Sequence, residues 1–221
     1  MIKILPAILS KNVGDYIRKV KAAEKIVDEV QIDIIDNKFA RNLTIGSKEV
    51  ASIRTKLGLE IQLMVEFIED WIDPFVKIKP KRIVVPIEVA RDPIGIVNHL
   101  NRHQIEVGFS LNPESGAERL QHLVDKIDTA LVLSVHPGFS GQHFVHGALE
   151  KIRKIKQMNP ALTVEIDGAI EPGTARKAAE AGANLLCSGS FVFENSKIAG
   201  ETYEDRVRNA YEELKADIVQ F

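Results

Sequence analysis

The chain has 221 residues, 45% hydrophobic and 27% charged, which is enough apolar content for one sizeable core in an ordinary globular protein. Its formal net charge is −2 and its pI about 6.3, so no basic field draws it to nucleic acid or to an anionic membrane surface. The single cysteine, Cys187, excludes an internal disulfide, no apolar run approaches the length of a spanning helix, and MIKILPAILS lacks the pattern of a secretion signal; the expected location is the cytoplasm.

From the N-terminus onward, apolar and β-branched runs alternate with stretches of helical period. A strand at 2–9 leads to a helix at 12–26, and a strand at 28–36 to a helix at 47–57. Strand 59–65 precedes helix 67–79; strand 82–88 precedes helix 93–104, where Asp92 and Pro93 read as N-cap and first turn. Strands at 105–111 and 129–135 precede helices at 116–127 and 145–158. Strand 162–167 precedes helix 173–181, which Gly182 stops, and strand 183–188 precedes a last helix at 203–219. Eight strand–helix units without a Pro/Gly/Ser-rich linker predict a single (β/α)8 TIM barrel, one domain over residues 1–221. A doubly wound open sheet is the alternative, but it usually has fewer strands, and no G-x-G-x-x-G follows the first strand.

Strand parity then sorts the side chains. In VQIDIID (30–36), Gln31, Asp33 and Ile35 share the face opposite Ile32 and Ile34. In LEIQLMV (59–65), Glu60, Gln62 and Met64 point inward, and in TVEIDG (163–168), Thr163, Glu165 and Asp167 do. Barrel interiors are normally filled by bulky apolar groups, and a buried acid without a partner is costly. Glu60 and Glu165, deeper in, read as structural acids satisfied by a nearby Lys or Arg. Asp33 and Asp167, near the C-terminal ends of their strands, read as functional. The loops HPGFSGQHF (136–144), DGAI (167–170) and SGS (188–190) follow three consecutive strands, and glycine there lets backbone N–H groups approach an anion. A phosphorylated small molecule is the expected ligand.

These motifs resemble one family along nearly the whole chain. LPAILS (5–10), QIDIIDNKFARNLTIG (31–46), LEIQLMVE (59–66), SVHPGFSGQHF (134–144), VEIDGAI (164–170) and SGSFVF (188–193) are similar to motifs of the ribulose-phosphate 3-epimerases. The resemblance implies a barrel of ribulose-phosphate-binding type that inverts C3 of D-ribulose 5-phosphate to give D-xylulose 5-phosphate through an enediolate. It implies proton transfer by Asp33 and Asp167. It further implies phosphate contacts from Gly138, Phe139, Ser140 and Gly141, from Gly168 and Ala169, and from Gly189 and Ser190. The apolar cap that methionines usually form in the family falls on Ile35, Met64 and Leu133. The family usually assembles as homo-oligomers, so at least a dimer is expected.

The same resemblance exposes a departure. The family holds a divalent metal through His, Asp, His and Asp, whereas this chain has Gln31 and Gln62 at the histidine positions. Ala7 stands where the family has a substrate-binding serine, and Pro86 where a strand-4 histidine is usual. A carboxamide oxygen is a poor ligand for Zn²⁺ or Fe²⁺ compared with imidazole, so no metal and no other cofactor is expected. Two close inward carboxylates would themselves split into one acid and one base. Gln31 and Gln62 would offer N–H donors to the enediolate oxygens, and His136 is the nearest candidate for a new role. Two other readings stand beside an epimerase: a different sugar-phosphate isomerase or lyase on this scaffold, and a non-catalytic phosphosugar-binding protein.

Overall fold

The computed structural model describes residues 2–219; Met1, Gln220 and Phe221, which the one-domain reading of 1–221 includes, lie outside the described residues. Eight parallel strands close into a barrel in sequence order. They are β1 (Lys3–Ile8), β2 (Glu29–Ile35), β3 (Gly58–Met64), β4 (Arg82–Pro86), β5 (Glu106–Leu111), β6 (Thr129–Leu133), β7 (Thr163–Asp167) and β8 (Leu185–Ser188). Around them lie α1 (Val13–Ala23), α2 (Ser47–Val50), α3 (Ile68–Val76), α4 (Pro93–Arg102), α5 (Gly147–Met158), α6 (Thr174–Ala181), α7 (Ser190–Phe193) and α8 (Tyr203–Val219). Every predicted strand is present within two residues of its expected ends. Asp92 caps α4 by accepting from Gly95 N–H at 2.9 Å, and Gly182 ends α6 in the left-handed region. No helix among the described residues is long and apolar enough to cross a membrane.

Two helices are shorter than expected. The predicted helix at 47–57 ends at Val50, and that at 116–127 is a single 3-10 turn over Ala117–Leu120 followed by further i→i+3 turns. The period was nonetheless informative: Leu120, Leu123, Val124 and Ile127 are all buried, since tight turns can present the same face as an α-helix. A short helix at 190–193 has no counterpart in the sequence reading.

The main core lies between strands and helices, where Ile32, Ile34, Ile61, Leu63, Val164 and Ile166 are fully buried. The barrel interior is different. Strand register pairs Gln31 with Glu60, Glu60 with Arg82, Asp33 with Gln62, and Asp167 with Cys187. The inward polar residues therefore form a lower layer (Glu60, Arg82, Glu165) and an upper one (Asp33, Gln62, Asp167). Arg82 binds Glu60 through Nη1, lies 3.8 Å from Glu165 Oε2, and reaches Glu106 Oε2 at 2.7 Å. This is the cation expected for the two deep acids. Burial, then the neighbouring Glu60 charge, pushes the Glu165 carboxyl well above its ordinary range. Removing the guanidinium leaves both acids buried without a counter-charge. Arg82→Met is expected to lower unfolding stability by about 3–5 kcal/mol, read as a shift of the urea midpoint at unchanged slope.

Candidate active site

At the C-terminal end of the barrel one cavity is lined by Asp33 from β2, Met64 from β3, Leu133 from β6, Asp167 from β7 and Cys187 from β8, under the segment 136–142. This is the end at which barrels of this kind carry their chemistry. Met64 and Leu133 line it as apolar wall; Ile35 does not line the cavity and packs against Ala40 and Met64. Ala7 lines the cavity, and Pro86 ends β4 away from its wall.

The two acids are not independent. Gln31 Nε2 donates to Asp33 Oδ1 at 2.8 Å, to Gln62 Oε1 at 2.6 Å and to Asp167 Oδ2 at 3.3 Å. With Gln31 nitrogen-inward, Gln62 presents its oxygen, which then lies 3.0 Å from Asp33 Oδ1 and 3.3 Å from Asp167 Oδ2. Turning Gln62 alone would place two amide nitrogens, both donors, 2.6 Å apart. Exchanging the roles of the two amides moves the conflict to Gln31. Every assignment that keeps a hydrogen bond between the amides leaves one amide oxygen facing both acids. A carboxyl proton on Asp33 or Asp167 resolves it. Burial raises Asp33 to about 6, and burial together with the Asp33 charge raises Asp167 well above its ordinary range. Both effects favour a pair that retains one proton near neutrality.

Gln31 and Gln62 are fully buried and do not line the cavity. The expected direct N–H bonds from these amides to a substrate oxygen therefore have no exposed donor to rest on. Parity identified them as inward-facing but could not say that the acids would stand between them and the ligand. Their contact with the cavity runs through the carboxylates they orient.

A second corner is built from backbone. Gly168 has φ +110°, and an added Cβ would lie 2.5 Å from Val135 Cγ2 and 3.0 Å from Val135 N. Ala169 follows at φ +49°, an uncommon conformation for a residue with a side chain. Ser134 Oγ donates to Gly168 O at 2.5 Å, and Thr174 Oγ1 to Ala169 O at 2.7 Å. A trans peptide points its N–H opposite its carbonyl, so holding Gly168 O back turns Ala169 N–H forward. The N–H groups of Ala169, Gly189 and Ser190 have no partner among the described residues. Gly138, Phe139, Ser140 and Gly141 line the same cavity.

The loop over the site is pinned at its base by Val145 N–H to Ser134 O at 2.8 Å and at its tip by Asn42 Nδ2 to Gly138 O at 2.6 Å. Asn42 was not singled out in the sequence, although it sits in the FARNLTIG stretch. His136 lines the cavity, but its Nε2 meets Glu114 Oε1 at 2.5 Å at the exposed rim, away from the two acids.

The sequence matches the Ribulose-phosphate 3 epimerase family over residues 3–193. A ribulose-phosphate 3-epimerase of Bacillus subtilis (strain 168) is 34% identical over 204 residues, covering 89% of this chain and 94% of that one. The cytoplasmic isoform of Oryza sativa subsp. japonica is 34% identical over 201 residues, covering 86% and 87%. Among solved structures, a chain of the tryptophan synthase complex of Pyrococcus furiosus superposes with a TM-score of 0.69 over 100% of both chains at 15% identity, which supports the barrel fold alone. With a family match across most of its length and relatives above 30% identity, the chain belongs to the ribulose-phosphate 3-epimerase family, an isomerase family acting on sugar phosphates.

Proposed function

We propose that the protein epimerises C3 of D-ribulose 5-phosphate, giving D-xylulose 5-phosphate, and that it does so without a resident metal. The observation that carries this reading is the pair Asp33 and Asp167, both on the cavity and joined through one Gln31 amide, with burial raising both carboxyls so that the pair favours keeping one proton. The ionised member takes the C3 proton, which the neighbouring C2 carbonyl acidifies. The protonated member delivers its proton to the opposite face of the enediolate, and the pair ends with its roles exchanged. Met64 and Leu133 provide the apolar wall beside the reacting carbons, and the amides of Ala169, Gly189 and Ser190 receive the phosphate.

The donor set supports the metal-free part. A cation about 2.0–2.2 Å from four ligands holds them roughly 3.3–3.6 Å apart. Here Gln31 Nε2, the Gln62 amide and Asp33 Oδ1 stand 2.6, 2.8 and 3.0 Å from one another. At least one of the inward amide atoms is nitrogen, whose N–H group has no lone pair to give. As arranged, these residues do not fit a resident Zn²⁺ or Fe²⁺.

The test is NMR in D2O with D-ribulose 5-phosphate, with other ketose phosphates as further arms. The expected result is solvent deuterium at C3 and appearance of the C3 epimer. Tight binding with no C3 exchange from any of them would favour the phosphosugar-binding reading instead.

A further inference from the structure

The cavity presents an electrostatic problem. Among the described residues no Lys or Arg lines it, yet three carboxylates do: Asp33, Asp167 and Glu194. A phosphate dianion entering the Gly189–Ser190 corner meets backbone dipoles in a net negative field. An ammonium does stand directly behind that corner. Lys19, on α1, is 3% exposed, and its Nζ donates to Leu9 O at 2.8 Å and to Glu194 Oε1 at 2.9 Å, with Asp15 Oδ2 at 3.2 Å. Leu9 and Glu194 both line the cavity, and Lys19 borders the adjoining groove together with Ser140, Gly141 and Ser190.

The three acceptors differ in how firmly they are held. Leu9 O is backbone. Asp15 is also engaged by Ser10 Oγ at 2.7 Å and by Arg18 at 2.5 Å. Glu194 has no other side-chain partner among the described residues, and its side chain is 48% exposed. It is the one acceptor free to leave for solvent. A buried ammonium needs anions beside it; Asp15 is shared with Arg18, and in the ligand-free protein Glu194 supplies the second carboxylate.

We propose that Lys19 is the counter-charge for the ligand's phosphate and that Glu194 is its stand-in, which yields the ammonium when phosphate arrives. Phosphate affinity is thereby set low enough for release, by competition within the corner. This rests on the phosphate reading above, and the experiment separates the two.

Inorganic phosphate is titrated into the intact protein while the amide resonances of Ala169, Gly189 and Ser190 are followed by NMR. Glu194→Gln preserves volume while removing both the charge and the competition. It is expected to tighten phosphate binding roughly three- to tenfold, the scale of one partly exposed charge interaction. Lys19→Met is expected to weaken it about tenfold or more, with Lys19→Arg retaining most of the affinity. If the resonances shift in every variant with one common affinity, Lys19 merely clamps α1 and the proposal falls while the phosphate corner stands. If phosphate moves none of them in the unmodified protein, the corner itself falls. Should Lys19→Met fail to fold, the half-exposed Glu194→Gln still decides, because an affinity equal to or weaker than the parent's overturns the assignment.

Discussion

Asp33→Asn is expected to slow epimerisation by on the order of 10²-fold or more, the usual scale for loss of a general base. The amide keeps the shape of the carboxylate and can still accept from Gln31 through its oxygen, so the barrel wall stays in place. What it loses is the ability to take a proton. Asp167→Asn should lower the rate comparably, because each turnover uses one acid to remove a proton and the other to return one. The two variants separate in a sharper measurement. Each retains one working carboxylate, so residual C3 deuterium exchange should survive for only one epimer in Asp33→Asn and for the other epimer in Asp167→Asn. Phosphate affinity should hardly change, since the Ala169, Gly189 and Ser190 amides are untouched. A variant that keeps more than about a tenth of the parent rate, against that scale, would remove its aspartate from the proton path.

How much of this was legible in the chain depends on which physical rule each feature obeys. The strands were readable because a closed barrel forces strict alternation. Ile32, Ile34, Ile61 and Leu63 go to the helices, and any polar residue at the other parity must be accounted for inside. The same rule put all four acids inside, and position along each strand set Asp33 and Asp167 at the cavity end and Glu60 and Glu165 in a buried ion cluster, where Arg82 supplies the charge. Parity says nothing of depth along the strand axis relative to a neighbour. It could not show that the Gln31 and Gln62 amides lie behind the acids. Contacts between distant loops were also silent. Asn42 reaches Gly138 across 96 positions, and Lys19 reaches Glu194 across 175, with no period or spacing to mark either. The helix at 116–127 failed for another reason: amphipathic period is satisfied equally by a run of tight turns, and tertiary packing decides between them.

Gln31→His with Gln62→His is expected to convert the centre into a metal site holding about one divalent ion per chain, where the parent protein is expected to hold none stoichiometrically. The two carboxylates are already in place, and each imidazole would present a lone pair where an amide N–H or oxygen now points inward. To admit the ion the inward atoms must spread from their present 2.6–3.0 Å to the wider spacing of a coordination shell, which is a movement of side-chain ends alone. Because the ion needs both carboxylates ionised, it must displace the proton that burial favours keeping on the pair. Binding should therefore release about one proton per Zn²⁺ near neutrality, measurable in weakly buffered solution. The enediolate charge would then face a cation instead of a carboxyl proton, so epimerase activity should rise and become sensitive to chelation. Elemental analysis of the parent protein provides the opposing result: about one tightly held metal per chain, with activity lost on its removal, would overturn the metal-free reading. A double variant that folds, shows native-like unfolding and still takes up no metal would mean that the strand ends have moved too far apart in orientation for these four positions to act as one site.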